Sequence, residues 1–254
     1  MTKDLEFRNG KGQMIRGRMW LPEGAGEDGR RYPLAVFAHG FGSNYRELMH
    51  HGQGFADREI CCFMFDFCGG GPESLSDGDM MEMSVVTECA DMECVLREMA
   101  ELPYIDENAI FLMGESQGGL VAALTGAKYP EKIRGLILWY PGLGIPDKAR
   151  RFFPDGVPDT KSCGELYGKE VGRAYYADVY DMDPYAMIGA FRGPVQIIHG
   201  DCDEIVPLFI SERAMGLYEN ASLLVLKGAG HGFEFPDNQT ARETSIEFIL
   251  KNIA

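Results

Sequence analysis

The sequence lacks long apolar runs: nowhere in its 254 residues is there an uncharged apolar stretch of about 18 residues, the length that spans a bilayer. The first ten residues carry four charged side chains and lack the apolar core of a signal peptide. Basic residues are also scarce, since 24 lysines and arginines stand against 39 aspartates and glutamates, for a net charge of −15. Because such a surface repels phosphate backbones and anionic lipids, we expect neither a nucleic acid nor a membrane as partner.

Cysteines are few, and their spacing is not that of a metal site. There are seven, an odd number; Cys61 and Cys62 are adjacent, and Cys89 and Cys94 lie five positions apart. Most lie in apolar stretches, where a thiol packs as a small hydrophobic side chain. Free thiols of this kind are typical of a cytoplasmic protein, so we expect a cytoplasmic location and no metal.

The composition is that of a globular protein, with 45% hydrophobic and 25% charged residues. A hairpin over Leu5–Leu21 precedes six short apolar runs, whose near-continuous hydrophobicity predicts parallel strands covered on both faces. These runs are Leu34–Ala38, Ile60–Asp66, Ala109–Met113, Gly135–Tyr140, Pro194–His199 and Ser222–Lys227. Helical patterns lie between them, namely Val85–Met99 behind a cap at Ser84, Gln117–Tyr129, and Asp237–Ile253. The alternation predicts a doubly wound, mostly parallel α/β sheet in a single domain over residues 1–254.

One connection between strands is far too long for a simple crossover. Residues 141–193 lie between the fourth and fifth apolar runs, where a crossover needs little more than a dozen residues. We therefore expect an insertion of roughly 30 to 40 residues, a lid or cap subdomain. Seven aromatic residues lie in its residues 141–190: Phe152, Phe153, Tyr167, Tyr175, Tyr176, Tyr180 and Tyr185.

The segment from Gly114 to Gly118 matches the pattern G-x-S-x-G around Ser116. An apolar strand precedes it and a helix of small residues follows, which is the context of a strained turn that lifts a serine hydroxyl above a sheet. The alternative interpretation is an ordinary glycine-rich turn. The context favours a nucleophilic serine.

A nucleophilic serine needs a histidine base, and the sequence has five histidines. His39 and His199 each close an apolar strand, which favours a structural role or a place at the rim of the site. His50 and His51 fall in a polar stretch, and we expect them at a solvated helix end. His231 lies on the loop after the last strand, at the sheet edge where sites of such folds occur.

The base needs a carboxylate to hold its tautomer, and Asp201 and Asp203 both follow the preceding strand. Serine, aspartate and histidine in this chain order resemble the α/β-hydrolase superfamily, and the resemblance covers essentially the whole chain. The segment Asp203–Pro207 is similar to the D-x-x-V-P of that superfamily, which selects Asp203 over Asp201. The implied catalytic residues are Ser116, Asp203 and His231.

The segment His39–Gly42 resembles the oxyanion loop of the same superfamily. The resemblance implies that the backbone N–H groups of Phe41 and Gln117 form the oxyanion hole. The chain departs from the superfamily at Cys68–Pro72, where three consecutive glycines replace the usual G-x-G-x-S. That departure leaves the loop near the site undefined.

Within the superfamily, the chain resembles the bacterial cinnamoyl (feruloyl) esterases. The shared features are the His-Gly-Phe loop followed by Asn44, the Phe65–Phe67 segment, the Glu-Ser-Gln-Gly-Gly elbow and the insertion after the sixth strand. In those enzymes the insertion caps the site and binds the aromatic acyl group. The resemblance implies substrate-binding roles here for Asp155, Asp159, Tyr175 and Tyr176. Surface exposure of the polar residues and core packing of the aromatic ones are the alternatives.

The expected function is hydrolysis of carboxylic esters by a serine enzyme, on hydroxycinnamoyl or other small esters, with no metal or organic cofactor. The partner is then a small ester, and a homodimer is possible. An acyl-CoA thioesterase, a serine exopeptidase and a non-catalytic ligand-binding protein are the alternatives. The net charge of −15 disfavours anionic CoA esters, and the complete set of three residues disfavours a protein without catalysis.

Overall fold

The structure is a computed structural model that describes residues 1–253 and consists of ten strands and eight helices within them. In chain order they are β1 (Thr2–Arg8), β2 (Met14–Trp20), β3 (Tyr32–Ala38), α1 (Tyr45–Ala56), β4 (Cys61–Asp66), α2 (Val85–Ala100), β5 (Ile105–Glu115), α3 (Ser116–Lys128), β6 (Gly135–Trp139), α4 (Ile145–Phe152), β7 (Ser162–Leu166), β8 (Lys169–Gly172), α5 (Arg173–Ala177), α6 (Pro184–Ile188), β9 (Val195–Gly200), α7 (Phe209–Met215), β10 (Ala221–Leu226) and α8 (Asp237–Asn252).

Eight of the strands form the central sheet, in the order β1-β2-β4-β3-β5-β6-β9-β10. The N-terminal hairpin pairs antiparallel with itself and with β4, and the pairs from β4 onward to β10 are parallel. Each of the six apolar runs overlaps one of the parallel strands. The predicted doubly wound, mostly parallel α/β fold is therefore confirmed.

Helices cover both faces of this sheet, which explains why its strands are apolar without alternation. Successive side chains of a strand point to opposite faces. On β4, Phe63 and Phe65 belong to the apolar cluster under α2 and α3, whereas Cys62 and Met64 belong to the cluster under α1 and α8. Within residues 1–253, no helix has both the length and the apolar character needed to cross a membrane.

The helices that flank the site begin where the sequence supplies caps. The Ser84 hydroxyl accepts the N–H of Thr87, whose own hydroxyl accepts the N–H of Ser84, so α2 begins with a reciprocal capping box. Asn44 caps α1 through the N–H of Arg46.

The expectation of a solvated helix end at His51 is wrong, because the ring of His51 is buried in α1 against Trp139.

The insertion between β6 and β9 consists of α4, the two-stranded β7–β8 hairpin, α5 and α6. Its apolar side chains, such as Val171 and Ile188, pack into the same cluster as α2 and α3. The hairpin also approaches the loop before α2 very closely, since a Cβ on Gly172 would lie 1.9 Å from the Met81 carbonyl oxygen. The insertion is thus packed against the body of the fold.

A buried carboxyl group lies where α2 meets α3. Glu88 is 1% exposed, its Oε2 accepts a hydrogen bond of 2.8 Å from the Gln117 amide, and its Oε1 has no hydrogen-bond partner among the described residues. Burial raises the pKa of Glu88 well above 4.5, and the hydrogen bond from Gln117 offsets this only in part. Glu88 therefore keeps its proton in the folded protein at pH values where the unfolded chain loses it.

The protonated Glu88 predicts a pH dependence of stability. Above about pH 4.5 the unfolded chain binds fewer protons than the folded one, so the free energy of unfolding falls as the pH rises, by at most ~1.4 kcal/mol per pH unit for this group. The substitution Glu88→Gln removes that slope while keeping the shape and the acceptor oxygen. In urea unfolding from pH 5 to 8, the free energy of unfolding of the variant should rise relative to that of the wild type as the pH rises.

The matched control is Glu131→Gln, which makes the same side-chain change at an exposed position. Its unfolding midpoints should run parallel to those of the wild type. Parallel curves for Glu88→Gln as well would contradict a protonated Glu88.

Candidate active site

The site is built on the turn that joins β5 to α3, where Ser116 has a φ of +51°. Two glycines permit this strained turn, because their neighbours leave no room for a side chain. A Cβ on Gly114 would lie 2.2 Å from the Gly118 carbonyl oxygen, and one on Gly118 would lie 2.4 Å from the carbonyl oxygen of His39. The G-x-S-x-G pattern thus forms a tight strand-to-helix elbow with the serine at its apex.

The structure brings Ser116, His231 and Asp203 together, although they come from three separate loops. The Nε2 atom of His231 lies 3.0 Å from the Oγ of Ser116, and its Nδ1 lies 2.7 Å from the Oδ2 of Asp203. Both distances lie within the range of hydrogen bonds. They form a continuous relay from a buried carboxylate, through the imidazole, to the serine hydroxyl.

Asp203 is held as an ionised, oriented carboxylate. Its Oδ1 accepts the backbone N–H groups of Ile205 at 2.9 Å and Val206 at 2.8 Å, and His199 Nε2 lies 3.3 Å from its Oδ2. Burial alone would raise the pKa of Asp203. The hydrogen bonds from His199, His231 and the N–H of Val206 outweigh burial and hold the pKa well below its usual range.

Asp201, the alternative carboxylate, points elsewhere. It is exposed, and its Oδ1 accepts the backbone N–H of Gly228 at 2.5 Å, which ties the loop after β9 to the loop after β10. Of the two aspartates, only Asp203 therefore lies at hydrogen-bond distance from His231.

The two predicted oxyanion residues, Phe41 and Gln117, lie on two segments that adjoin Ser116. Phe41 lies on the loop after β3, and that loop comes so near the elbow that a Cβ on Gly40 would lie 3.3 Å from the Cβ of Ser116. Gln117 lies in the first turn of α3, whose N–H groups have no acceptor within the helix. The loop that carries Phe41 and the first turn of α3 thus both adjoin Ser116.

The three-glycine segment, where the chain departs from the superfamily pattern, supports the loop that carries Phe41. Gly70 accepts the N–H of Gly42 at 3.0 Å. A Cβ on Gly71 would lie 2.4 Å from the carbonyl oxygen of Ser43, so the two loops pack backbone to backbone. This close contact requires glycine in the segment, because a side chain would collide with the facing backbone.

A second carboxyl group, Glu115, lies beside the serine. It accepts the Tyr140 hydroxyl at 2.7 Å and, more weakly, the N–H of Gly40 at 3.4 Å. The ring of Tyr140 in turn packs edge-on against His231, with centroids 4.7 Å apart. Burial raises the pKa of Glu115, against the opposing effect of the bonds from Tyr140 and Gly40. Glu115 thus links the Phe41 loop to the residue that supports His231.

A cavity of about 350 Å³ opens onto Ser116 and His231. Its walls carry five aromatic side chains: Phe41, Trp139, Tyr140, Tyr167 and Phe233. Ser43, Glu47 and His50 supply polar groups at its rim. The cavity therefore combines flat apolar walls with a polar corner.

Across residues 1–253, no three or more histidine, cysteine, aspartate or glutamate side chains are arranged to hold a metal ion.

None of the four residues expected to bind substrate lines this cavity. Asp155 and Asp159 are exposed, and Asp159 lies 3.6 Å from the guanidinium of Arg173. Tyr176 is buried and packs edge-on against Phe153. Tyr175 is buried as well, 3% exposed, with its hydroxyl on the Gln117 side chain at 2.9 Å. The structure therefore does not bring these four to the serine.

Three contacts of the site had no counterpart in the sequence interpretation. Tyr167, at the tip of the β7–β8 hairpin, lines the cavity, and His199 contacts Asp203. The Tyr175–Gln117 hydrogen bond joins residues 58 positions apart. No local pattern marks such contacts, whereas the glutamate next to Ser116 was visible in the elbow itself.

Solved structures share the whole fold. The structure described as ferulic acid bound to Est1E from Butyrivibrio proteoclasticus superposes with a TM-score of 0.87 at 23% identity, covering 97% of this chain and 98% of that one. At this level of identity the likeness establishes the fold.

Two curated relatives share part of the sequence. "Putative esterase/lipase 2" of Mycoplasma genitalium is 31% identical over 112 residues, which cover 44% of this chain and 39% of that protein. Human "Monoglyceride lipase" is 29% identical over 194 residues, which cover 69% of this chain and 58% of that protein. The chain thus spans less than two thirds of the length of either relative.

A family model matches residues 31–174, which is more than half of the chain and includes β3, the elbow at Ser116 and the start of the insertion. Its description is "Serine aminopeptidase, S33". The chain therefore belongs to this family, and its helix-covered, mostly parallel sheet is that of the α/β-hydrolase fold.

Proposed function

We propose that the protein is a serine hydrolase that cleaves carboxylic esters through an acyl-enzyme. The observation that carries this proposal is the relay from Asp203 through His231 to Ser116, at 2.7 and 3.0 Å. A serine hydroxyl is a weak nucleophile until a base takes its proton, and the relay places such a base at hydrogen-bond distance.

In the first half-reaction, the Oγ of Ser116 attacks the ester carbonyl carbon while Nε2 of His231 takes the hydroxyl proton. The carbonyl oxygen becomes an oxyanion, which accepts the backbone N–H groups of Phe41 and Gln117. His231 then gives its proton to the leaving alcohol, and the carbon–oxygen bond breaks. Asp203 stays ionised throughout and stabilises the imidazolium.

In the second half-reaction, water replaces the alcohol. His231 takes a proton from that water, the hydroxide adds to the acyl carbon, and a second oxyanion forms in the same place. Its collapse releases the acid and returns the proton to Ser116. No step needs a cofactor.

The proposed substrates are small esters with a planar aromatic acyl group, of the hydroxycinnamoyl type. Three observations support this: the cavity has only about 350 Å³, five aromatic side chains form its walls, and Ser43, Glu47 and His50 offer partners for a phenol hydroxyl. The likeness of the fold to an Est1E structure with ferulic acid bound agrees with it. Tyr167 is the contribution of the insertion to these walls, and in this proposal the insertion caps the site.

An exopeptidase is the second candidate, because two carboxyl groups, Glu47 and Glu115, line the cavity and suit a substrate ammonium group. The family description also names an aminopeptidase. Amino-acid p-nitroanilides and methyl ferulate, assayed side by side, separate the two: faster hydrolysis of the anilides would replace the ester proposal.

The first prediction concerns the nucleophile. Ser116→Ala should lower the turnover number of ester hydrolysis by a factor of order 10⁶, because no other group can form the acyl-enzyme. A fluorophosphonate probe should label the wild type and leave the variant unlabelled. Turnover near that of the wild type, in a variant with an unchanged circular dichroism spectrum, would refute the assignment.

The second prediction separates the two neighbouring aspartates. Asp203→Asn should lower the turnover number by roughly 10⁴, because the amide cannot hold the required tautomer of His231. Asp201→Asn is the matched control, with the same change of charge; its amide oxygen can still accept the N–H of Gly228. Its turnover should stay within about twofold of the wild type. The reverse order of effects would mean that the loop has been misassigned.

The third prediction concerns the cavity wall. Tyr167→Ala should lower kcat/KM for methyl ferulate by about tenfold and leave p-nitrophenyl acetate almost unchanged, because only the larger acyl group reaches that wall. Phe152→Ala is the control, since Phe152 is another insertion aromatic that is equally 51% exposed but lies outside the cavity. An equal loss for both esters would contradict a role in acyl selection.

A further inference from the structure

The two backbone N–H groups assigned to the oxyanion come from segments that lie far apart in the sequence. Phe41 lies on the loop after β3, and Gln117 is the second residue of α3. Stabilisation of an oxyanion requires donors within 2.7–3.1 Å of the oxygen. Some contact must therefore hold the loop and the helix at a fixed separation.

One side chain touches both residues, and it comes from the insertion. The hydroxyl of Tyr175 donates to Oε1 of Gln117 at 2.9 Å. Its ring packs against the ring of Phe41, with centroids 5.1 Å apart and planes inclined at 60°. Tyr175 thus lies behind the oxyanion hole and bridges its two halves.

The side chain of Gln117 is also held from the opposite direction. Its Nε2 donates to Oε2 of Glu88 at 2.8 Å, and Gln117 and Glu88 are both 1% exposed. Both ends of the amide are therefore occupied in a site without solvent, where losing a partner leaves a buried polar atom unpaired. The first turn of α3 is fixed between α2 and the insertion.

The Tyr175 ring is itself fixed by packing. It is 3% exposed, and Tyr176 packs edge-on against it at 5.0 Å between centroids. Phe41 is contacted by a second insertion residue, Tyr167, at 6.2 Å between centroids. This separation is longer than the 5.1 Å between the rings of Phe41 and Tyr175, so Tyr175 makes the closer contact with the Phe41 loop.

We propose that Tyr175 is a positioning residue that sets the geometry of the oxyanion hole, so that the insertion is required for fast turnover of every ester. The inference rests on the proposed ester hydrolysis. It gives Tyr175 a role through Gln117 and Phe41, in place of the substrate contact expected from the sequence.

A positioning role has a distinct kinetic consequence. The oxyanion exists in the transition state and not in the bound ester, so a displaced donor lowers kcat while KM stays constant. Losing a whole donor lowers kcat by about 10²–10³, and a donor that is only displaced should lower it by about tenfold. The loss should be the same for esters of any acyl group.

The test is Tyr175→Phe, which removes the hydroxyl and keeps the ring. The kcat and KM of p-nitrophenyl acetate and methyl ferulate are measured, with the inhibition constant of a trifluoromethyl ketone that forms a tetrahedral adduct with the serine. We expect kcat to fall about tenfold for both esters at constant KM, and the inhibitor to bind weaker by the same factor. Tyr180→Phe is the matched control, because it removes an insertion hydroxyl that bonds only to the Phe153 carbonyl.

A double-mutant cycle identifies the path of the effect. Gln117→Met removes the hydrogen bond with Tyr175 from the other side, together with the one to Glu88, and keeps the backbone N–H. If Tyr175 acts through Gln117, the double variant should be no slower than the slower single variant. Losses that multiply would overturn that path.

The failures of the two proposals are distinguishable. Suppose that the wild type is active and that Tyr175→Phe has an unchanged kcat, or a KM that rises for methyl ferulate alone. Either result overturns the positioning role and leaves ester hydrolysis intact. A wild type that cleaves neither ester and takes up no fluorophosphonate overturns ester hydrolysis, and the positioning role falls with it.

Discussion

The parallel pairing of β3 with β5 is the constraint on which the site depends. Ala38 lies opposite Gly114 in this pairing, so the loop with Phe41 and the elbow with Ser116 leave the sheet side by side at the same level. The approach is tight enough that a Cβ on Gly118 would lie 2.6 Å from the Ala38 carbonyl oxygen. A shift of register would separate the serine from its oxyanion donor. The glycines are consequences of this approach, because only they admit backbone against backbone.

The other half of the site follows from the next strands of the same sheet. The strands β9 and β10 are parallel neighbours, and their outgoing loops carry Asp203 and His231. Tyr140, at the end of β6, lies between the two halves, with its hydroxyl on Glu115 and its ring against His231. The imidazole is therefore oriented by packing on one side and by a buried carboxylate on the other.

The features that could be predicted from the sequence are those that a local residue pattern encodes. Strands covered on both faces are continuously apolar, which made the sheet visible, and the strained turn needs glycines at fixed positions around Ser116. Contacts between distant elements leave no such pattern, which is why Tyr175 was expected at the substrate and lies instead on Gln117. His51 was misjudged because its polar neighbours suggested solvent, whereas α1 turns that face towards Trp139.

The insertion supplies little of the cavity and much of its support. Among the described residues that line the cavity, Tyr167 comes from the insertion and the others come from loops of the sheet. Meanwhile Tyr175, four residues beyond Val171 in the shared apolar cluster, holds the first turn of α3 through Gln117. The insertion packs into the core on one side and onto Gln117 and Phe41 on the other, so in the proposed mechanism its stability is coupled to the rate of the chemistry. In the proposed mechanism, exchanging this insertion for another of similar length should therefore lower kcat for p-nitrophenyl acetate as well as for methyl ferulate, because Phe41 and Gln117 act on the carbonyl oxygen that all esters share.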